Sequence, residues 1–159
     1  IIFPFISVHA SDLGLSDYGI GVVNSTWILS MVFTTIPWGL LTDKIGGKSI
    51  LTWHLITSFA SWMFYTYSWN PAIIMVSAIL MGIVSSMDMP ARRKILAQIA
   101  DGRGIGMIIG SLDLITNTTG IPGPMIGGFL YNYVGILGVF WIGSLTNLVG
   151  VLFLLKIRG

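Results

Sequence analysis

The chain has 159 residues, of which 54% are hydrophobic and 9% are charged, and its formal net charge is +2. Because a soluble domain is usually about a quarter charged, this composition argues against a water-soluble fold and indicates a membrane protein. The chain lacks cysteine, which excludes disulfides and thiolate metal sites, and its few scattered positive charges do not suit a nucleic-acid surface.

Six apolar segments follow one another along the chain. The first, Ile1–His9, is short, and we expect it to be an incomplete helix. The other five have about the 20 residues that a helix needs to cross a bilayer, or more. They are Tyr18–Leu41, Ser49–Tyr67, Pro71–Ile95, Gly104–Tyr131 and Gly135–Leu155. Because these runs exceed the roughly 10-residue strands of a membrane barrel, we predict an all-α fold, a polytopic membrane helix bundle.

The positive charges predict the orientation of these segments. All eight basic residues lie at or beyond the ends of the second, fourth and sixth segments: Lys44, Lys48, Arg92, Arg93, Lys94, Arg103, Lys156 and Arg158. The alternate connections, at residues 11–17, 68–70 and 132–134, contain none. The positive-inside rule therefore predicts that the Lys/Arg loops are cytoplasmic and that the chain lies in the cell membrane.

The connection after the second segment, GLLTDKIGGKSIL at residues 39–51, is short and polar. We expect Gly39 to let helices pack closely and the Gly46–Gly47 pair to permit a turn with positive φ. Asp43 is expected at the membrane edge, where its carboxylate could accept hydrogen bonds from a helix N-terminus or pair with an arginine. A tight turn with lysines that follow the positive-inside rule is the simpler interpretation.

Residues 39–48 resemble the loop signature of the major facilitator superfamily, G-x-L-a-D-r-x-G-r-k. The matching positions are Gly39, Leu41, Asp43, Lys44, Gly46 and Lys48. Gly47 departs from the signature, which usually has a basic residue there. The resemblance implies a cytoplasmic gate in which Asp43 makes a contact that breaks and re-forms during transport. Arg92 and Arg93 are the partners expected for Asp43.

Two further stretches resemble the same family. GPMIGG, at residues 123–128, is similar to the G-P-x-x-G-G core of a motif in the fifth helix of the family's antiporters. Thr119 stands where that motif has an earlier glycine, and Gly120 follows one place late. Residues 89–92 and 100–104 resemble the family's connection between the fourth and fifth helices. Together these matches imply a transporter with a tilt toward efflux.

Small and polar residues of the fifth segment share one face about 100° wide on a helical wheel: Gly106, Gly110, Asp113, Asn117, Gly120, Pro124, Gly127 and Gly128. Pro122 and Pro124 remove backbone donors and predict a hinge, and Gly123 lies beside them. Asp113 is the only acid well inside a predicted span. Because a carboxyl group in lipid is costly, Asp113 is a candidate to carry a proton or bind a cationic substrate; helix packing through Asn117 and Thr116 is the more usual role.

The second and third segments carry weaker polar faces. These faces consist of Asn24, Trp27, Met31, Thr34 and Trp38 on the second segment and His54, Ser58, Ser61 and Tyr65 on the third. They could line a cavity, although contacts between helices are the more usual role. We expect His9 to lie near the outer boundary, where water serves the imidazole, and Asp88 to neutralise the cluster at residues 92–94.

The six segments and the resemblance together predict one half of a major facilitator transporter, with inverted three-helix repeats at residues 1–67 and 71–157. The amino- and carboxyl-terminal halves both remain possible, with the carboxyl-terminal half slightly favoured. The implied function is proton-coupled secondary transport of small molecules by alternating access; a non-transporting membrane sensor or assembly partner is the alternative. The implied partners are a small-molecule substrate, H+, the other six-helix half and the lipid bilayer. No enzyme, cofactor, metal or nucleic-acid role is predicted.

Overall fold

The computed structural model describes residues 2–100 and 104–156, and within these ranges it contains helices and no strands. The helices are α1 (Phe3–Asp12), α2 (Asp17–Ile45), α3 (Gly47–Thr66), α4 (Pro71–Ser85), α5 (Asp88–Ala100), α6 (Ile105–Gly120) and α7 (Pro122–Lys156). The predicted all-α fold is confirmed. Arg103 and Arg158, two of the predicted cytoplasmic charges, lie outside the described residues.

Polar caps begin α2 and α4. The Ser16 hydroxyl accepts a hydrogen bond from the backbone N–H of Gly19 at 3.3 Å, and the Asn70 side chain accepts one from Ile73 at 3.0 Å. Each cap satisfies a backbone donor that the first turn of a helix leaves free. Pro71 follows Asn70 at the first helical position, where its missing N–H has no cost. These caps place two of the helix starts close to where the sequence predicts them.

Prolines divide the fourth and fifth predicted segments. The fourth forms α4 and α5, which are separated by Ser86 and Met87, and the fifth is interrupted at Ile121. A proline clashes with the carbonyl four residues earlier and cannot donate a hydrogen bond to it. Pro90 explains the first interruption in this way. The predicted hinge at Pro122 and its neighbour Pro124 coincides with the second interruption, between α6 and α7.

Three helical stretches in the described part of the chain are long and apolar enough to cross a membrane. They are Asp17–Ile45, Pro71–Ala100 and Gly106–Lys156. The last has 51 residues, enough for two crossings of about 20 residues each, and Gly135 breaks it with φ 67° near the predicted boundary between the last two segments. The 20-residue α3 is not one of these three stretches, and it packs against α4, α5 and α7.

The main hydrophobic core joins α1, the first half of α2, α3, α4 and the second half of α7. Tyr65 of α3 and Phe140 of α7 are among its largest buried side chains. The Tyr65 hydroxyl donates a hydrogen bond to the Ile6 carbonyl at 2.8 Å, which ties α3 to α1. A smaller cluster around Ile50, Met87 and Ala91 joins α3 to α5 at the other end of the bundle.

A close helix contact joins α2 to α4 at Gly82. A Cβ atom at position 82 would lie 2.6 Å from the Ser30 Cβ and 3.0 Å from the Met31 backbone nitrogen. The first distance is too short for a real Cβ atom and the second is unusually tight, so the two helices can approach this closely only because residue 82 is glycine. The sequence analysis did not single out Gly82. Its sequence signal was a single glycine inside the apolar fourth segment, which could not show that the glycine meets α2.

Candidate functional site

The turn between α2 and α3 consists of a single residue. Gly46 has φ 92°, a value that favours glycine, which confirms the predicted positive-φ turn. Gly47 then begins α3 and lies against α5, where a Cβ atom would be 2.6 Å from the Ala91 carbonyl oxygen and 2.9 Å from Ile95. The family's usual basic residue therefore cannot occupy position 47 in this arrangement. The departure from the signature has a packing reason.

Gly39 does not have the packing role that the sequence analysis expected. No other atom of the described chain lies within 4 Å of a Cβ placed at Gly39. The reason is that α2 turns a different face toward α4, the face that carries Ser30 and Thr34. Within the described residues, close helix contact in this region depends on Gly47 instead.

Asp43 pairs with Lys94 at the end of the bundle that holds the α2–α3 turn, called the charged end below. The Lys94 ammonium donates to the Asp43 carboxylate at 3.1 Å and to its backbone carbonyl at 3.0 Å. The expected partners were Arg92 and Arg93, so this prediction was wrong by one or two residues. Successive helical residues point about 100° apart, and only Lys94 is turned toward α2.

Arg92 instead pairs with Asp88 one helical turn earlier, with its Nε 2.6 Å from the carboxylate oxygen. This ion pair agrees with the expected neutralising role of Asp88. The His54 imidazole of α3 also faces that carboxylate, with 3.8 Å between Nε2 and Oδ1. Asp43 and Asp88 therefore lie in separate networks, one between α2 and α5 and the other between α3 and α5. Arg93 is exposed.

The Asp43–Lys94 pair is weak enough to open and close. The Asp43 side chain is 76% exposed, and ion pairs in contact with water contribute about 1 kcal/mol or less. It nevertheless joins α2 to α5 across the charged end and adds a backbone contact to the ionic one. Such a link suits a contact that must break and re-form, which is the role that the family signature implies for Asp43. Lys44 beside it is exposed and Lys48 is half-buried.

A charge exchange would test whether Asp43 and Lys94 act together. We expect Asp43→Lys and Lys94→Asp each to slow transport by the complete protein up to about fivefold, the equivalent of 1 kcal/mol. The double exchange restores the pair and should recover most of the rate. Asp43→Lys combined with Arg93→Asp is the matched control and should recover nothing, because Arg93 does not contact Asp43. Equal recovery by both double variants would contradict the pairing.

The polar face of α6 points away from the rest of the described bundle. Asp113 and Asn117 are exposed, and Asp113 has no ion-pair partner in the described ranges. No atom lies within 4 Å of a Cβ placed on the glycines of this face, which are Gly106, Gly110 and Gly120. Helix packing through Thr116 and Asn117 is therefore not seen among the residues that the structure describes. This face is accessible to a helix or a small molecule from outside the described bundle.

The apolar side of α6 contacts the bundle. Ile108, Ile109 and Leu112 are half-buried, and Leu112 lines an apolar groove of about 380 Å³ with Leu51 and Phe153. The same helix leaves Met107 80% exposed and Leu114 69% exposed. Part of the apolar surface of α6 thus packs against the bundle, whereas its small and polar residues are exposed.

The predicted hinge and packing residues divide into two groups beyond the interruption at Ile121. Gly123 and Gly127 are buried in α7, while Pro122 and Pro124 are exposed. Gly128 is half-buried and, like Gly120, has no atom within 4 Å of a Cβ position. The first part of α7 therefore packs through one pair of glycines and presents its prolines outward.

The polar faces predicted on α2 and α3 mostly form contacts between helices. Thr34 and Ser86 share a hydrogen bond of 2.7 Å, and Trp27 donates from Nε1 to the Ser85 hydroxyl at 3.3 Å. On α3, Ser58 is buried and His54 contacts α4 and α5. Part of α2 also borders an open groove, lined by Asn24, Trp27, Ile28 and Met31. Asn24 and Trp27 thus keep access to a cavity, and Thr34 is a link to α4.

His9 lies in a different environment from the one predicted. It is 7% exposed and is surrounded by aromatic rings, with ring-centre distances of 5.5 Å to Tyr65 and 5.7 Å to Phe140. Its Nε2 has no hydrogen-bond partner among the described residues. The expectation that water would serve this imidazole was wrong because α3 and α7 close around α1.

Across the described ranges, no cluster of three or more His, Cys, Asp or Glu residues could hold a metal ion.

These features define a helical membrane protein with charged links at one end and an open polar helix face. A family model supplies the next step: that of the Major Facilitator Superfamily matches residues 1–158. The chain belongs to this family of membrane transporters. The family assignment agrees with the predicted fold and with the prediction that the chain is not an enzyme.

Curated relatives support the assignment. The chain is 27% identical over 158 residues to the "Quinolone resistance protein NorA" of Staphylococcus aureus, an alignment that covers 99% of this chain and 41% of the relative. It is 26% identical over 144 residues to the "MFS-type transporter ppzB" of Metarhizium majus, which covers 89% of this chain and 31% of the relative. The chain thus spans about two fifths or less of the length of these proteins.

Proposed function

We propose that this chain forms one half of a secondary transporter that exports small amphipathic molecules in exchange for protons by alternating access. Residues 1–67 and 71–157 are its two three-helix repeats. The chain spans the cell membrane, and its charged end lies on the cytoplasmic side. The observation that carries the proposal is the open polar face of α6, with Asp113 at its centre, in a chain that belongs to a transporter family throughout.

The open face of α6 supports a cavity shared with a second six-helix half. Glycines with nothing within 4 Å leave room for a neighbouring helix or a substrate, and Asp113 supplies a group that can bind and release a proton. In folds of this kind the substrate lies between the two halves, near the middle of the membrane. Asn24 and Trp27, beside the groove on α2, are proposed to extend the cavity wall.

The proposed export and substrate class rest on two observations. Relatives with 27% identity are named as quinolone resistance proteins, a name that fits export of an amphipathic drug. Residues 123–128 also match the core of the antiporter motif. Apart from Asp113, the described part of α6 has no charged side chain, which favours an amphipathic or weakly basic compound over a polyanion.

Transport by the complete protein in inverted membrane vesicles would test the proposal. A fluorescent quinolone is added outside vesicles whose interior is more acidic than the medium. We expect the quinolone to accumulate inside, which is equivalent to export from a cell. A protonophore should abolish this accumulation. Vesicles without the protein are the control. Accumulation that is insensitive to the protonophore would contradict proton coupling, and binding without movement of the quinolone would favour a sensor.

A further inference from the structure

The interruption between α4 and α5 leaves a backbone carbonyl of α4 able to accept a hydrogen bond from the His54 ring. In a continuous helix the Val84 carbonyl would accept a hydrogen bond from residue 88, but α4 ends at Ser85. The carbonyl receives the Met87 N–H at 3.2 Å instead, and the His54 Nδ1 lies 2.9 Å from it. This places a ring nitrogen of α3 directly against the break in the neighbouring helix.

The Val84 contact determines which nitrogen of the neutral imidazole carries the proton. A carbonyl oxygen can only accept, so Nδ1 must be the donor. Nε2 of neutral His54 is then an unprotonated acceptor, and it faces the Asp88 carboxylate at 3.8 Å. Two acceptors face each other across that distance. A proton added to Nε2 converts this arrangement into a charged pair with a donor and an acceptor.

The surroundings of His54 leave Asp88 as its ionic partner. Among the described residues, Asp88 is the one carboxylate within 4.0 Å of the ring. The Ser58 hydroxyl lies 3.5 Å from Nδ1, and α4 contributes no charged side chain. On α5, Arg92 shares the carboxylate, Lys94 is turned to Asp43, and Arg93 is exposed. The charged groups of α2 and the described part of α7 lie near the helix ends: Asp17, Asp43, Lys44 and Lys156.

We infer that His54 and Asp88 form a proton-binding site at the break between α4 and α5, separate from Asp113. The His54 side chain is 14% exposed and that of Asp88 is 32% exposed, so the pair is shielded yet within reach of water. Proton binding to Nε2 draws Asp88 toward α3 and weakens its bond to Arg92. The bound proton therefore fastens α3 to the start of α5 and frees a cation at the charged end.

Histidine titration in the complete protein would test this site. The probe is the proton, observed through the ring signals of isotopically labelled histidine in lipid nanodiscs, with His54→Gln identifying the His54 signal. We expect neutral His54 to carry its proton on Nδ1. Asp88→Asn should weaken proton binding, because it removes the facing negative charge. Arg92→Gln should strengthen binding, because it removes the competing cation.

The matched control is Asp17→Asn, which removes a carboxylate at the distant end of α2 and should leave the His54 titration unchanged. Neutral His54 protonated on Nε2 would overturn the proposal, as would equal midpoints in the wild type, Asp88→Asn and Arg92→Gln. If Asp88→Asn does not fold, the opposite shift in Arg92→Gln still decides the question. Titration is measured without any substrate, so its outcome is independent of whether the proposed transport occurs.

Discussion

Replacing Asp113 by Asn is expected to reduce proton-driven transport by at least about tenfold and to remove its dependence on pH. The amide keeps the size and polarity of the side chain and loses the ability to bind and release a proton. Asp113 is the only acid of α6 and lies in the middle of its open face. We would measure quinolone accumulation in vesicles at several values of pH.

Ser111→Ala is the matched control for this prediction. Ser111 is an exposed polar residue of the same helix, but its hydroxyl bonds to the Met107 carbonyl within α6 at 2.8 Å. Its loss should leave both the rate and the pH dependence of transport close to those of the wild type. If Asp113→Asn behaved like Ser111→Ala, the coupling role of Asp113 would be disproved, and the carboxylate would have to serve contact with the other half of the transporter.

Gly82→Ala is expected to destabilise the bundle by about 1–3 kcal/mol, the usual cost of forcing an extra group into a packed contact. The added methyl group would overlap Ser30 and the backbone of α2, so the two helices must move apart. That movement would also stretch the bonds from Thr34 to Ser86 and from Trp27 to Ser85. Thermal unfolding of the complete protein in detergent would measure the loss.

Gly21→Ala is the control for Gly82, because nothing lies within 4 Å of a Cβ at position 21. In an open helix interior, alanine is more favourable than glycine by about 0.5–1 kcal/mol, so this variant should be neutral or slightly more stable. Adding Ser30→Gly to Gly82→Ala should restore part of the lost stability by removing one overlapping group. Equal effects of Gly21→Ala and Gly82→Ala would refute the packing role of Gly82.

The sequence predicted the elements well because their signals are local. Long apolar runs specify helices in lipid whatever their neighbours are, and Pro122 and Pro124 indicated the interruption in the fifth segment. The interruption of the fourth segment before Pro90 was not predicted. The one-residue turn at Gly46 follows from a glycine pair between two apolar runs. The resemblance of residues 39–48 to the family loop likewise identified a region whose charges link helices in the folded chain.

Pairing between side chains could not be predicted in the same way. Arg92, Arg93 and Lys94 are adjacent basic residues, and their chemistry does not show which one meets Asp43. The direction of each side chain depends on the rotation of α5 about its axis, which the contact at Gly47 and the break before Asp88 set together. The environment of His9 depends in the same way on how α3 and α7 close around α1.

Apolar length and charge placement along the chain were therefore enough to predict a helical membrane protein, and the motifs at residues 39–48 and 123–128 were enough to indicate its family. The partners of Asp43, His54 and Gly82 on other helices lie at least 30 positions away in the chain, so only the packed bundle could decide them. The physical reason is that transfer into lipid depends on the composition of one segment, which the sequence gives directly. Ion pairs and close helix contacts depend on how two segments rotate and approach each other, to within fractions of an ångström.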